Sequence, residues 1–178
     1  VCDKDIIELR YKASREGVKV ELIVRGICCL IPQLEGVSEN ITVRSIVGTF
    51  LEHSRIFYFE NGGESEIYMA SADWMTRNLD KRVEIMFPVE DARLKREVRH
   101  ILDVQLEDNV KAQIMQPDGS YVKVREQLEK KYAGKPERSY ARVEAQMVFC
   151  KEAQDRAKAV NADNDVHNSR VFIPMKSE

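Results

Sequence analysis

Apolar and polar positions along the chain change from helical spacing to strand-like alternation within residues 1–24. Residues 3–16 repeat apolar side chains at helical spacing, an aspartate can cap their start, and Gly17 is suited to end the helix. Residues 18–24 then alternate apolar and polar side chains, as a half-buried strand does. A helix followed by a glycine and a strand is typical of an α/β protein.

The region up to residue 119 continues this pattern with short strands separated by turns. Residues 26–40 hold Gly26, Pro32 and Gly36, which together indicate a loop. Strands are predicted at 41–47, 53–59, 67–70, 82–87 and 110–115, with turns at 60–65 and 116–119, a loop at 71–79 and a helix at 91–105. These elements predict a mixed β-sheet flanked by helices.

The composition changes near residue 120, and this change predicts a boundary. Lys, Arg, Glu, Ala and Gln become frequent, while β-branched residues become scarce. Helices are predicted over 124–132 and 139–160, and the polar residues from Asn161 onward are expected to be loosely ordered. We therefore predict a globular domain over residues 1–118 and a helical tail over residues 119–178.

The charge of the chain excludes one class of function. Its 28 Lys and Arg residues are nearly balanced by 30 Asp and Glu residues, which gives a formal net charge of −2. A protein that binds nucleic acid mainly through an overall basic surface is therefore excluded. An anionic ligand has to be held by a local cluster of basic side chains.

The sequence also bears on where the protein acts. It holds no apolar run near the ~20 residues of a membrane span, and no signal peptide is visible. Four cysteines without a CxxC pair are expected to be reduced thiols and not a zinc site. The chain starts with Val1 and not with Met, so we expect a fragment of a longer cytoplasmic protein, either free or peripheral to the inner face of the membrane.

Candidate chemistry is concentrated in the segment from His53 to Glu60. Within a strand, His53 and Arg55 would share one face, because alternate side chains point the same way. A guanidinium can bind phosphate oxygens through paired hydrogen bonds, and an imidazole can attack phosphorus or donate a proton. The pair therefore suits a phosphate site, although this triplet alone is more often a partly buried structural histidine at the start of a strand.

The spacing of this segment is similar to a motif of the phospholipase D superfamily. His-x-Arg-(x)4-Glu resembles that superfamily's His-x-Lys-(x)4-Asp, with Arg55 at the lysine position and Glu60 at the aspartate position. The superfamily's Gly-Ser-x-Asn and later acidic positions are similar, in loose spacing, to Ser71, Asn78 and Glu84.

Longer segments resemble the type 1 polyphosphate kinases over about residues 3–110. The segments that carry the resemblance are residues 24–30 (VRGICCL), 45–56 (SIVGTFLEHSRI), 59–63 (FENGG) and 71–80 (SADWMTRNLD). The resemblance implies the second of two phospholipase-D-like catalytic domains. Enzymes of this family transfer the terminal phosphate of ATP reversibly to inorganic polyphosphate.

The resemblance also implies roles for particular residues. Arg25 matches the family's nucleotide-binding arginine, and His53 matches the catalytic histidine of its ATP and phosphate site. We expect supporting phosphate contacts from Arg55, Arg77 and Arg82. A bound phosphate favours the protonated imidazole, so His53 is expected to act as a proton donor or electrostatic stabiliser and not as a nucleophile.

The remaining parts of such a site lie outside this chain. In the family, the phosphorylated histidine and the positions tied to Mg²⁺ belong to the preceding domain, so no metal site is expected here. The N-terminal, head and first phospholipase-D-like domains are expected as partners, beside ATP, ADP and polyphosphate. The family also suggests a homo-oligomer, and residues 1–178 alone are expected to have little kinase activity.

Two other functions remain open from the sequence. A phospholipase-D-like hydrolase needs paired His-x-Lys motifs, and the single copy with an arginine argues against it. A non-catalytic polyanion-binding or assembly domain is the stronger alternative. Trp74 and Tyr58 could stack on an adenine, but packing within the protein is the expected role for both.

Overall fold

The computed structural model of the protein describes residues 1–133 and 140–166. Within these ranges the helices are α1 (Lys4–Arg15), α2 (Thr76–Lys81), α3 (Ala92–Glu107), α4 (Val124–Lys131) and α5 (Ala145–Val166). The strands are β1 (Val20–Ile23), β2 (Ile41–Ile46), β3 (Ile56–Phe59), β4 (Glu66–Ala70), β5 (Met86–Pro88), β6 (Ala112–Met115) and β7 (Tyr121–Lys123). The predicted α/β class is confirmed.

The strands divide into two sheets. The first has the order β1-β2-β6-β7 and is mixed, because β1 and β2 are parallel whereas β6 pairs antiparallel with both β2 and β7. The second has the order β3-β4-β5 and is antiparallel throughout. The connection from β1 to β2 is a long loop over residues 24–40, and it includes the predicted loop over 26–40.

The buried core lies on the mixed sheet and is built from β1, β2, β6 and the loop after β1. Leu30, Ile41, Val43 and Met115 are buried at its centre. Apolar side chains of α1, β1 and the loop pack around them: Ile7, Tyr11, Val20, Leu22, Val24 and Cys28. Because burial of apolar area is the main stabilising term, this cluster fixes the loop that begins at Arg25 against the sheet.

Helix α1 begins and ends as its sequence predicts. The Asp3 side chain accepts a hydrogen bond from the Ile6 backbone N–H at 3.1 Å, which satisfies one donor of the first turn. Gly17 follows the helix with φ +82°, a backbone conformation that favours glycine. The helix therefore leads directly into β1, which places Arg25 at the carboxyl end of that strand.

Two predicted strands have clearly different bounds in the structure, and one strand was not predicted. Strand β3 begins at Ile56, so the predicted strand over 53–59 was wrong at its start, and His53 and Arg55 precede it. The predicted strand over 82–87 is reduced to Met86–Pro88, because the register pairs Met86 with Ala70, the last residue of β4. The residues before Met86 lie beyond Ala70, where the partner strand β4 ends, so they form no strand pairs with it. The strand β7 was not predicted.

The predicted loop over 71–79 contains a short helix, so this prediction was also wrong. Helix α2 covers Thr76–Lys81, and it buries Asn78 to 3% exposure on its inner side. Its six residues have too weak a hydrophobic period to be recognised, and tertiary packing stabilises them more than intrinsic propensity does.

The chain forms two compact units, Val1–Ala145 and a second one that starts at Gln146. Strand β7 pairs with β6 and so belongs to the sheet of the first unit. The boundary at residue 118 remains a prediction. The predicted start of the last helix at Ser139 lies outside the described residues. The loose end predicted from Asn161 includes a helical stretch to Val166, and residues 167–178 lie outside the described ranges. Over those ranges, no helix is long and apolar enough to cross a membrane.

Candidate anion-binding site

A cleft of about 740 Å³ lies at the end of β1 and beside the segment that leads into β3. This volume is within the range of small-molecule sites, roughly 300–1,000 Å³. Its basic side chains flank β1 or come from three further parts of the sequence: Lys19, Arg25, His53, Arg55, Arg77 and Arg99. Glu21, Glu52, Glu60 and Asp73 also line the cleft, so Lys19 and the four arginines give it a small excess of positive charge, which favours an anion.

Arg25 and His53 are in direct contact within this cleft. The Arg25 Nη1 lies 3.3 Å from His53 Nδ1 and also donates a hydrogen bond to the Glu52 carbonyl oxygen. A guanidinium can only donate, so Nδ1 is the acceptor, and the proton of the neutral imidazole is on Nε2. Nε2–H is therefore a hydrogen-bond donor, whereas the protonated imidazole expected from the sequence could not accept from Arg25, and the role of His53 stays a prediction.

Arg55 is held by two hydrogen bonds to other residues of the cleft lining. Its Nε donates to the Asp73 carboxylate at 3.1 Å, and its Nη1 donates to the His53 carbonyl oxygen at 2.9 Å. The hydrogen bond from Arg55 is the main reason why the pKa of Asp73 is lowered. These contacts, and not a shared strand face, bring Arg55 and His53 together.

Of the other predicted residues, some line the cleft and some do not. Arg77, the second residue of α2, lines the cleft, whereas Arg82 follows the end of α2 and is not a lining residue. Ser71 is bonded to Glu84 through its hydroxyl and accepts from the Ile85 N–H at 3.1 Å. This serine and this glutamate therefore hold each other beside β4, away from the cleft lining.

The two aromatic candidates for adenine stacking already have partners. The Trp74 ring stacks on Phe57 with centroids 5.0 Å apart, and the Arg10 guanidinium lies 4.3 Å from the Trp74 centroid. The Arg99 guanidinium carbon lies 4.1 Å from the centroid of the Tyr58 ring. Both rings have the packing roles expected from the sequence.

Arg99 and Asp73 are site residues that reasoning from the sequence missed. Arg99 lies on α3 and pairs with Asp103 at 2.7 Å, four residues later. In a sequence this is the pattern of an ordinary surface pair on a helix. Only the packing of α3 beside β3 and β4 brings Arg99 to the cleft. Asp73 could have been found from its place in the segment over 71–80.

The cleft does not offer a donor set for a metal ion. Over residues 1–133 and 140–166, no group of three or more His, Cys, Asp or Glu side chains is placed to hold one. The Asp73 carboxylate is engaged by Arg55, and Glu60 accepts a hydrogen bond from the Tyr58 hydroxyl. The residues of this domain therefore do not fit a Mg²⁺ ion that the domain holds by itself.

The Arg55–Asp73 pair predicts a pH dependence of stability. The pKa of Asp73 is lowered below its ordinary value of 3.8, so the pair contributes fully above that value, and its contribution is lost as the pH falls through the lower folded pKa. The Asp73 side chain is 41% exposed, which limits the contribution to under about 1 kcal/mol.

The test compares Asp73→Asn with the wild type by urea unfolding at about pH 6 and about pH 3. At the higher pH we expect the wild type to be more stable than Asp73→Asn. At the lower pH we expect the difference in free energy of unfolding between the two proteins to be smaller. A difference that is the same at both pH values would show that the Asp73 charge does not stabilise the fold.

The fold is a mixed α/β domain with an Arg–His contact in a cleft at the end of a strand, an arrangement suited to an anion. The chain belongs to the family described as polyphosphate kinase C-terminal domain 2, whose model matches residues 1–135. This match includes the whole of the cleft.

Known relatives and one solved structure agree with this assignment. The polyphosphate kinase of Pseudomonas putida is 59% identical over 121 residues, which cover 68% of this chain and 17% of that protein. That of Lactiplantibacillus plantarum is 43% identical over 98% of this chain and 23% of its own length. The crystal structure of polyphosphate kinase from Porphyromonas gingivalis matches with a TM-score of 0.77 and 39% identity, over 89% of this chain and 23% of that one.

Two facts follow from these matches. The chain spans about a fifth of the length of the curated relatives that it matches. The match to the Lactiplantibacillus plantarum protein extends over 176 residues, so it includes most of the segment after residue 120, where no resemblance was recognised from the sequence.

Proposed function

We propose that this domain contributes half of a phosphoryl-transfer site that moves the terminal phosphate of ATP reversibly to inorganic polyphosphate. The observation that carries the proposal is the contact between Arg25 and His53 in the basic cleft, at 3.3 Å. Family membership supports the choice of nucleotide and polyphosphate as the two anions. Both substrates present the phosphoanhydride oxygens that guanidinium groups bind.

The proposed chemistry uses the cleft residues as donors of charge and of hydrogen bonds. Phosphoryl transfer depends mainly on in-line positioning and on neutralising the charge of the equatorial oxygens. Arg25 donates through Nη1 to His53 and Glu52, so neither contact uses its Nη2 and Nε donors, which are directed to phosphate in the proposed complex. His53 Nε2–H donates to a phosphate oxygen and stabilises the charge that develops there.

Arg55 has a positioning role in this proposal. It ties the His53 backbone to Asp73 through its two hydrogen bonds, and so it keeps the imidazole beside Arg25. Arg77 and Arg99 line the same cleft and add positive potential around the phosphates. The arrangement is preorganised, which lowers the cost of orienting donors when the substrate binds.

The other half of the site is proposed to come from the rest of the protein. In our proposal the preceding domain supplies the phosphorylated histidine and holds the Mg²⁺ that accompanies ATP. The complete protein is proposed to be a homo-oligomer. Because ATP is a cytoplasmic metabolite, we propose a cytoplasmic location, free or peripheral to the inner face of the membrane.

The test follows the reaction in both directions in the complete protein that carries this domain. We expect ATP to form from ADP and polyphosphate, and polyphosphate to form from ATP, with little transfer by residues 1–178 alone. Cleavage of phosphodiesters without transfer would instead support the hydrolase. Binding of polyphosphate without transfer in either direction would support the non-catalytic polyanion-binding domain. Robust polyphosphate synthesis by residues 1–178 alone would contradict the proposal that this domain supplies only half of the site.

A further inference from the structure

Three of the four cysteines meet at one place, beside the cleft but outside the residues assigned to it. The Cys2 and Cys29 sulfur atoms lie 3.0 Å apart, although 27 positions separate them in the chain. Cys28 is the neighbour of Cys29, and its thiol donates to the Leu30 carbonyl oxygen at 3.7 Å. All three are free thiols.

Backbone hydrogen bonds hold the two sulfur atoms together. The Cys29 N–H donates to the Val1 carbonyl oxygen at 2.8 Å, which aligns the residues before α1 with the loop after β1. The Cys2 N–H donates to the Trp74 carbonyl oxygen at 2.8 Å. The path of the chain on both sides therefore brings the segments that carry the two thiols together.

We propose that Cys2 and Cys29 form a redox-active dithiol that a disulfide oxidant such as oxidised glutathione converts into an intrachain disulfide. Cys29 is exposed and Cys2 is half-buried. Access therefore favours Cys29 as the first thiol to react and Cys2 as the resolving thiol. Nothing in this proposal depends on the phosphoryl-transfer function.

The reaction balances as two exchange steps. The Cys29 thiolate attacks one sulfur of the oxidant, forms a mixed disulfide and releases one glutathione thiolate. The Cys2 thiolate then attacks the Cys29 sulfur of the mixed disulfide, forms the Cys2–Cys29 bond and releases the second glutathione. The chain loses two hydrogen atoms, and one disulfide of the oxidant is reduced to two thiols.

The environment of the pair sets the pace of this exchange. The pKa of Cys29 is raised, mainly by its hydrogen bond with Cys2. Burial is the main cause of the raised pKa of Cys28, which packs against the apolar core. Because the thiolate is the reacting form, the raised pKa of Cys29 slows its attack on the oxidant.

The disulfide would act on the Arg25 side of the cleft. It closes a ring over residues 2–29, which contains α1, β1 and Arg25, and Arg25 is four residues before Cys29. The Cys2 backbone is bonded to Trp74, which follows Asp73 in the cleft lining. The bond would therefore restrain the loop after Arg25 against the segment that carries Asp73 and Trp74.

The experiment treats the complete protein with excess oxidised glutathione and maps its peptides by mass spectrometry. We expect a peptide linked through Cys2 and Cys29 that dithiothreitol reverses. The amides of residues 26–30 should exchange hydrogen roughly 10-fold more slowly after oxidation, because opening of the loop is restricted.

Serine variants provide the controls. Cys2→Ser and Cys29→Ser should lose both the linked peptide and the slowed exchange, whereas Cys28→Ser and the distant Cys150→Ser should keep them. Before oxidation, each variant should exchange as the reduced wild type does, which shows that it is folded. A stable glutathione adduct on Cys29 without the linked peptide, or a link through Cys28 in place of Cys29, would overturn the proposal.

Discussion

Replacement of His53 by alanine is expected to lower kcat of the complete protein by about 10²–10⁴-fold, the range for loss of a positioned proton donor or charge stabiliser. The exposed imidazole accepts from Arg25 through Nδ1, so its Nε2–H is available as a donor to the transferring phosphate. The alanine variant removes this donor and also one of the two contacts of Arg25 Nη1, leaving the one to the Glu52 carbonyl oxygen. Steady-state rates of ATP formation from ADP and polyphosphate measure the effect.

A conservative variant separates the donor role from a nucleophilic one. His53→Gln keeps an N–H donor and a neighbouring acceptor, so it should retain activity within about 10-fold of the wild type if His53 is a donor. His100→Ala is the matched control, because His100 is an exposed histidine of α3 outside the cleft lining, and this variant should be unchanged. Equal loss in the glutamine and alanine variants, together with a phosphohistidine at position 53, would show that His53 is the nucleophile.

Replacement of Asp108 by alanine is expected to lower the free energy of unfolding by about 3–5 kcal/mol, the cost of breaking a buried charged network. Asp108 is 1% exposed. Its Oδ1 accepts from the backbone N–H groups of Val110, Lys111 and Ala112 at 3.1, 2.8 and 3.0 Å, and its Oδ2 accepts from that of Ala145 at 2.8 Å. Alanine would leave these buried donors without their acceptor.

Two matched variants make this prediction specific. Asp108→Asn keeps one acceptor oxygen for the turn before β6 and should cost less than the alanine variant. Glu129→Ala removes an exposed carboxylate that pairs with Arg125 at 3.4 Å, and it should change stability by less than about 0.5 kcal/mol. The measurement is urea unfolding at neutral pH. An Asp108→Ala variant as stable as Glu129→Ala would show that these hydrogen bonds do not hold the turn.

The elements that the sequence predicts well have a strong local period. Helix α3 was predicted over 91–105 and is found at Ala92–Glu107, because its apolar stripe repeats over four turns. Strand β2 was predicted over 41–47 and is found at Ile41–Ile46, since it is rich in β-branched residues and buries Ile41, Val43 and Ile46. Short elements such as α2 and β7 depend on tertiary partners, and their own residues carry little signal.

The site could be predicted in part for a similar reason. Arg25 and His53 were found through the segments that resemble a family, and the structure brings them into contact. The shared strand face expected for His53 and Arg55 was wrong, because β3 starts only at Ile56. Arg99 joins the cleft through the packing of α3, which no spacing along the chain encodes. The Cys2–Cys29 contact likewise depends on the path of the chain around α1.

The most direct test of the account is the affinity of the complete protein for ATP, measured by calorimetric titration beside Arg25→Ala. Arg93→Ala is the matched control, because this arginine lies at the start of α3 and does not line the cleft. We expect Arg25→Ala to weaken ATP binding by at least about 10-fold, the loss of one charge-assisted contact, and Arg93→Ala to bind as the wild type does. Equal affinity in all three proteins would contradict the placement of the phosphate site at Arg25 and His53.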